Sequence, residues 1–92
     1  MLQTIEINVS GRVQGVFYRQ STKEKAVELG IKGKVMNLDN GNVKIIATGT
    51  KEQLNKLIDW CKTGPPKARV THVDVRELSL QSFENFSIVR FL

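Results

Sequence analysis

The chain changes from an alternating pattern to a helical pattern within the stretch Gly11-Arg12-Val13-Gln14-Gly15-Val16-Phe17-Tyr18-Arg19. Two glycines four residues apart allow the backbone to bend where a Cβ atom would clash. Successive N–H groups can then point to one centre at the start of a helix, where free amides and the macrodipole favour an anion. Arg19 adds a planar cation whose donors suit phosphate oxygens. The stretch therefore predicts an oxyanion cradle, with a solvated strand-to-helix turn as the alternative.

The first half of the chain is predicted to form a strand, a helix and a hairpin. Alternation predicts a strand over residues 3–10, with Ile5, Ile7 and Val9 on one face. Residues 19–29 have a helical pattern that ends at Gly30. The inward stripe of this helix is predicted to contain Thr22, Ala26 and Leu29, with Val27 beside them. Strands over residues 33–38 and 42–49 flank Asp39-Asn40-Gly41, in which Asn-Gly is a strong hairpin signal.

The second half is predicted to form another helix and two extended segments. Thr50 and Gln53 resemble a capping box, which opens an amphipathic helix of about three turns. The apolar stripe of that helix is Leu54, Leu57, Ile58 and Cys61, and Gly64-Pro65-Pro66 stops it. Residues 70–78 look extended, with Thr71, Val73 and Val75 in phase, and residues 86–91 could add a final strand.

This order of elements is βαββαβ with an extra strand at the C-terminus. It predicts an α+β sandwich with the ferredoxin-like arrangement, in which both helices lie on one face of a mainly antiparallel sheet. The length predicts one domain over residues 1–92, with a core that demands neither a disulfide nor a metal. The net charge of +5 favours anionic partners without distinguishing a metabolite from nucleic acid.

The residue inventory excludes several kinds of catalytic site. His72 is the only histidine and is far in sequence from the cradle, so nothing places it beside a nucleophile. Cys61, the only cysteine, is interpreted as a small core residue, and its isolation suits a reducing cytoplasm. No cluster has metal-ligand spacing, and no apolar run is long enough for a membrane helix. The alternating residues 1–10 are also unlike a signal peptide.

Two segments of the chain resemble the two signatures of the acylphosphatase family. The stretch from Gly11 to Arg19 is similar to the pattern Gly-x-Val-Gln-Gly-Val-x-aromatic-Arg. The second segment is Gly33-Lys34-Val35-Met36-Asn37-Leu38-Asp39-Asn40-Gly41-Asn42-Val43. They occur in the family's order, in a chain of the family's length. The chain departs from the second signature at Lys34, where an aromatic residue is usual, and at Met36, where a longer polar residue is common.

The resemblance implies a ferredoxin-like fold and hydrolysis of the carboxyl–phosphate bond of acyl phosphates. It implies that Arg19 is the catalytic arginine and that Asn37 is the catalytic asparagine that orients the attacking water. The amides that bind phosphate together with Arg19 would belong to Gln14, Gly15, Val16, Phe17 and Tyr18. An asparagine suits its task because its amide both donates and accepts hydrogen bonds. Without the motif, Asn37 would be interpreted as a turn-flanking polar residue.

An acyl phosphate also suits a site that has neither a nucleophile nor a metal. Its leaving group is a carboxylate whose conjugate acid has a pKa of about 4 to 5, so no general acid is needed at neutral pH. Phosphoryl transfer then requires mainly positioning and electrostatic stabilisation. We therefore expect a cofactor-independent, cytoplasmic and monomeric enzyme. Its expected partners are a small acyl phosphate and the product phosphate, without nucleic acid or membrane.

Three other functions fit the same order of elements. RNA-recognition domains display aromatic residues on their central strands, whereas the outward positions here are Thr4, Glu6, Asn8, Ser10, Lys44, Ile46 and Thr48. A copper chaperone needs two cysteines in its first loop, and this chain has none there. A regulatory module that binds phosphate without turnover remains the alternative to the enzyme, because the fold alone does not determine function.

Overall fold

The computed structural model describes residues 1–90, and these form a five-stranded sheet with two helices. The elements are β1 (Leu2–Arg12), α1 (Tyr18–Leu29), β2 (Lys32–Asn37), β3 (Val43–Thr50), α2 (Lys51–Cys61), β4 (Arg69–Leu78) and β5 (Phe86–Val89). The strand order is β4-β1-β3-β2-β5, and only β2 and β5 are parallel neighbours. The ferredoxin-like α+β prediction is therefore confirmed. The predicted last strand is observed over residues 86–89, and residue 91 lies outside the described residues.

The register of β3 brings the carboxyl ends of β1 and β2 to the same edge of the sheet. Val43 of β3 pairs with Val9 of β1 on one side and with Asn37 of β2 on the other. Because neighbouring strands lie about 4.8 Å apart, Val9 and Asn37 are separated by roughly 10 Å. The loop that follows β1 therefore begins close to the last residue of β2.

Both helices cover the face of the sheet that carries the predicted inward residues of β1. Ile7 and Val9 are fully buried there, and Ile5 is nearly so. The capping box of α2 is confirmed, with Gln53 N donating to Thr50 Oγ1 at 3.2 Å and Thr50 N donating to Gln53 Oε1 at 2.8 Å. Neither α1 nor α2, the helices of the described residues 1–90, has the length and apolar character needed to cross a membrane.

Helix α1 begins one residue earlier than predicted and buries a narrower stripe. Its buried residues are Tyr18, Thr22 and Ala26, which follow one another at intervals of four. The prediction that Val27 borders the inward stripe is wrong, because its side chain is 61% exposed. Tyr18, which precedes the predicted helix, packs in the core instead. Its hydroxyl donates to Cys61 O of α2 at 2.7 Å, and its ring packs on Trp60 with centroids 5.4 Å apart.

The predicted alternation of β4 is wrong at one point, because the strand contains a bulge. Ser10 of β1 pairs with His72, but Gly11 pairs with Val70, so Thr71 has no partner on β1. Because of this shift, Thr71 and Val73 do not share a face as predicted. Val70 packs against the core, and Thr71 is exposed. A β-bulge of this kind inserts one residue and is not visible in residue alternation.

The segment over residues 79–85 crosses from β4 at one edge to β5 at the other. Thr4 and Thr48, on the face opposite the helices, hold this crossing by hydrogen bonds to Gln81. Thr48 Oγ1 donates to Gln81 O at 2.9 Å, and Gln81 N donates to Thr4 Oγ1 at 2.9 Å. Thr4 is consequently buried to 1% exposure although its strand position faces outward.

We expect the buried Cys61 thiol to make the protein less stable in alkali. Burial raises the pKa of the Cys61 thiol from 9.0 to about 12, with a smaller opposing effect from Tyr18. The free energy of unfolding is unaffected by this group well below pH 9, where the thiol is neutral in both states. It falls as the pH rises from 9 towards 12, because only the unfolded thiol ionises in that range. Between pH 8 and 10, wild type should lose about 1.4 kcal/mol more unfolding free energy than Cys61→Ala. Urea titrations at each pH measure this difference, and equal pH slopes would contradict it.

Candidate active site

The loop between β1 and α1 is folded around two residues with left-handed backbone conformation. Gly15 has a φ of 74° and Phe17 has a φ of 65°. Glycine adopts this region without strain, whereas phenylalanine does so rarely. Val13 and Val16 are buried on either side of Gly15 and anchor the loop to the core. Left-handed residues inside a turn direct successive N–H groups into one concavity, as an anion-binding loop requires.

The start of α1 leaves its amide groups available. Phe17 occupies the N-cap position without a side-chain hydrogen bond, and the first turn contains no acidic residue. Within residues 1–90, the amides of Gly15, Val16 and Phe17 donate no hydrogen bond to another backbone group. Free N–H groups and the positive end of the helix dipole therefore coincide at this point. Such a helix start favours binding of a phosphate or a carboxylate.

The side chain of Gln14 ties this loop to the β2–β3 hairpin. Its Nε2 donates to Leu38 O at 2.8 Å and to Asn42 O at 2.9 Å. The hairpin turn is closed by a hydrogen bond from Leu38 N to Asn42 O at 2.9 Å. Gln14 therefore fixes the position of the loop relative to the end of β2, where Asn37 lies.

A cavity of about 460 Å³ opens between the loop, α1 and the ends of β2 and β5. It is lined by Val13, Gly15, Phe17, Tyr18, Arg19, Gln20, Asn37, Ile88 and Arg90. Among residues 1–90, the lining includes two arginines and no carboxylate. Arg19 is half-buried, and no acidic group of residues 1–90 forms an ion pair with it. The charge of the lining therefore favours an anionic ligand.

Asn37 lines this cavity and has an unsatisfied side-chain oxygen. It is the last residue of β2 and is half-buried. Its Oδ1 is buried and accepts no hydrogen bond from any group of residues 1–90. A buried acceptor without a donor costs about 1–3 kcal/mol, so most proteins avoid one. A side chain that lines the cavity therefore has an acceptor without a donor among residues 1–90.

The structure brings most of the predicted site residues to one place. Arg19, Asn37, Gly15, Phe17 and Tyr18 all line the cavity. Gln14 and Val16 do not line it, because Gln14 bonds to the hairpin and Val16 packs in the core. The sequence interpretation missed the positions of Arg90 and Ile88, since only the parallel pairing of β5 with β2 brings them here. It also missed the bridging amide of Gln14, for which the sequence contains no signal.

The remaining chemically active residues lie elsewhere. His72 is exposed on β4, with Nε2 3.5 Å from Asp74 Oδ1, and Cys61 is buried in the core. Lys34 and Met36, where the chain departs from the second signature, alternate with Val35 and Asn37 along β2. They therefore face the side of the sheet opposite the cavity. Within residues 1–90, no group of three His, Cys, Asp or Glu residues is arranged to hold a metal ion.

The chain is similar in sequence to known proteins along nearly its whole length. Residues 5–88 match the model of the family described as Acylphosphatase. An acylphosphatase of Methylococcus capsulatus is 46% identical over 90 residues, which cover 97% of this chain and 98% of the relative. An acylphosphatase of Acaryochloris marina is 52% identical over 82 residues, which cover 89% of this chain and 88% of the relative.

Solved structures agree with this similarity. A Coxiella burnetii acylphosphatase superposes with a TM-score of 0.93 at 38% identity, covering 96% of this chain and 93% of that chain. An acylphosphatase of Bacillus subtilis superposes with a TM-score of 0.92 at 39% identity, covering 97% of this chain and 99% of that chain. The similarity therefore includes the loop, both helices and the sheet edge that form the cavity.

We expect Gln14→Ala to destabilise the protein through the bridge between loop and hairpin. The change removes two hydrogen bonds to backbone carbonyls, which are together worth about 1–3 kcal/mol. Gln20→Ala is the matched control, since Gln20 is exposed and its amide bonds only to the exposed Glu24. That variant should stay within about 0.5 kcal/mol of wild type. Chemical denaturation measures both changes, and equal losses would show that the bridge contributes nothing particular.

Proposed function

The chain belongs to the acylphosphatase family, and on this premise we propose how its residues carry out the reaction. The protein is an acylphosphatase, which hydrolyses acyl phosphates to a carboxylate and inorganic phosphate. One observation carries the proposed roles of its residues. Arg19, Asn37 and the uncapped start of α1 meet at one cavity, whose lining from the described part of the chain contains no carboxylate.

Arg19 and the loop amides hold the phosphoryl group in this proposal. The amides are those of Gln14, Gly15, Val16, Phe17 and Tyr18. The left-handed backbone at Gly15 and Phe17 and the absence of a side-chain cap support this role. The planar guanidinium of Arg19 can bind two phosphoryl oxygens at once. These donors are in place before the reaction, so they stabilise the charge that spreads over the phosphoryl oxygens in the transition state.

Asn37 orients the attacking water in this proposal. Its buried Oδ1 lacks a donor within residues 1–90 and would accept one hydrogen of the water. That contact aims a lone pair of the water oxygen at phosphorus. The new oxygen–phosphorus bond forms as the bond from phosphorus to the acyl oxygen breaks. The bonding electron pair leaves with the carboxylate, and the proton of the water passes to phosphate or solvent.

The leaving group explains why the proposed mechanism lacks a general acid. A carboxylate is stable as an anion at neutral pH, so it departs without a proton. The described lining of the cavity contains no histidine, cysteine or carboxylate, in agreement with such a mechanism. We also propose that the enzyme needs no metal or cofactor. A single domain over residues 1–92, a monomeric state, a cytoplasmic location and the absence of nucleic-acid or membrane partners remain predictions.

Replacing Asn37 should separate catalysis from phosphate binding. Asn37→Ala is expected to lower kcat for benzoyl phosphate about a hundredfold to a thousandfold, the usual effect of losing one well-placed polar group. Inorganic phosphate should still bind, because Arg19 and the amides are unchanged. The assay runs in excess chelator, with exposed Asn55→Ala on α2 as the matched control. Unchanged turnover in Asn37→Ala would remove Asn37 from the mechanism, and loss of turnover in chelator would contradict metal independence.

Replacing Arg19 should test the two-point contact with phosphate. Arg19→Lys keeps the charge but loses the planar pair of donors, so kcat/KM should fall by at least about a hundredfold. Arg12→Lys is the control, since Arg12 is exposed at the end of β1 and does not line the cavity. A fully active Arg19→Lys enzyme would show that a point charge is sufficient.

A further inference from the structure

Phe17 has two properties that do not favour folding, one of its backbone and one of its side chain. Its backbone is left-handed with a φ of 65°, a region that phenylalanine adopts only under strain. Its aromatic side chain is also 76% exposed. Glycine at this position would relieve the strain and would expose no ring. Strained residues cluster at functional sites, so the pair of properties points to a role outside folding.

Phe17 lies at the cavity that is proposed to hold the phosphoryl group. Its amide belongs to the proposed phosphate cradle, and its side chain lines the same cavity. A side chain begins two bonds from its own amide nitrogen, so a phosphate bound to that amide would lie close to the Phe17 side chain. For an acyl phosphate, the group attached to that phosphate is the acyl part. Ile88 of β5 adds a second apolar side chain to the lining.

We propose that the ring of Phe17 contacts the acyl group and makes the enzyme prefer acyl phosphates with aromatic or large apolar acyl groups. This inference rests on the proposed function of the cavity. An aromatic ring that remains exposed in the free enzyme loses water when such a group binds, and two rings gain a further favourable contact. The buried neighbours Val16 and Tyr18 hold the backbone of Phe17, so only the torsions of its side chain lose freedom when the substrate binds.

The test compares two substrates that share the reacting bond and differ in the acyl group. Benzoyl phosphate and acetyl phosphate are assayed with wild type and Phe17→Asn, because asparagine tolerates the left-handed region. The ratio of their kcat/KM values should fall about threefold to tenfold in the variant, as expected for the loss of one aromatic contact. Phe17→Trp should retain the preference. Leu80→Asn is the matched control, because Leu80 is 64% exposed and does not line the cavity.

A second measurement distinguishes recognition from a folding role. Phe17→Gly relieves the positive φ and should raise Tm by about 2 to 5 °C, while the substrate ratio falls as in Phe17→Asn. A lower Tm for Phe17→Gly would indicate that the ring serves folding, and the proposal would fail. Equal losses for both substrates in Phe17→Asn would also overturn it. If wild type hydrolyses neither substrate, the proposed function itself fails, and the preference falls with it.

Discussion

The position of β3 between β1 and β2 is the constraint on which the site depends. Val43 pairs with Val9 and with Asn37, so two strands far apart in sequence end at one edge of the sheet. This register is strongly specified, because a slip of one residue would turn the buried side chains of β3 to the opposite face. The loop after β1 and the last residue of β2 therefore meet in only one way. The cavity follows from that meeting.

Two side chains hold the loop after β1 in place by hydrogen bonds to neighbouring elements. Gln14 bonds to the hairpin carbonyls of Leu38 and Asn42, and Tyr18 bonds to Cys61 O on α2. Between them, the backbone of residues 15–17 holds free amides and a strained phenylalanine. Asn37, whose Oδ1 is another unsatisfied group within residues 1–90, lines the same cavity. The features that reduce stability are therefore concentrated where a ligand can compensate for them.

Local signals in the sequence predicted most of the secondary structure, and non-local contacts caused the errors. The capping box at Thr50 and the hairpin at Asn40-Gly41 involve residues within a few positions of each other, so the sequence shows them directly. Val27 is exposed because the buried stripe of α1 is Tyr18, Thr22 and Ala26, and Tyr18 bonds to Cys61 of α2. Thr71 is displaced by a bulge against β1. Thr4 is buried because residues 79–85 cross over it. Tyr18, Thr71 and Thr4 are each positioned by contacts with a distant part of the chain, which local patterns do not show.

The sequence by itself determined the order of elements and the ferredoxin-like class, and its two signature segments led to the prediction that Arg19 and Asn37 are site residues. These depend on periodicity, turn chemistry and residue types at short spacing. Only the tertiary structure decided that the two residues line one cavity, that Gln14 braces the loop, and that Arg90, Ile88 and the ring of Phe17 complete the lining. The physical reason is that strand pairing joins residues separated by many positions, and no local pattern records which strands become neighbours.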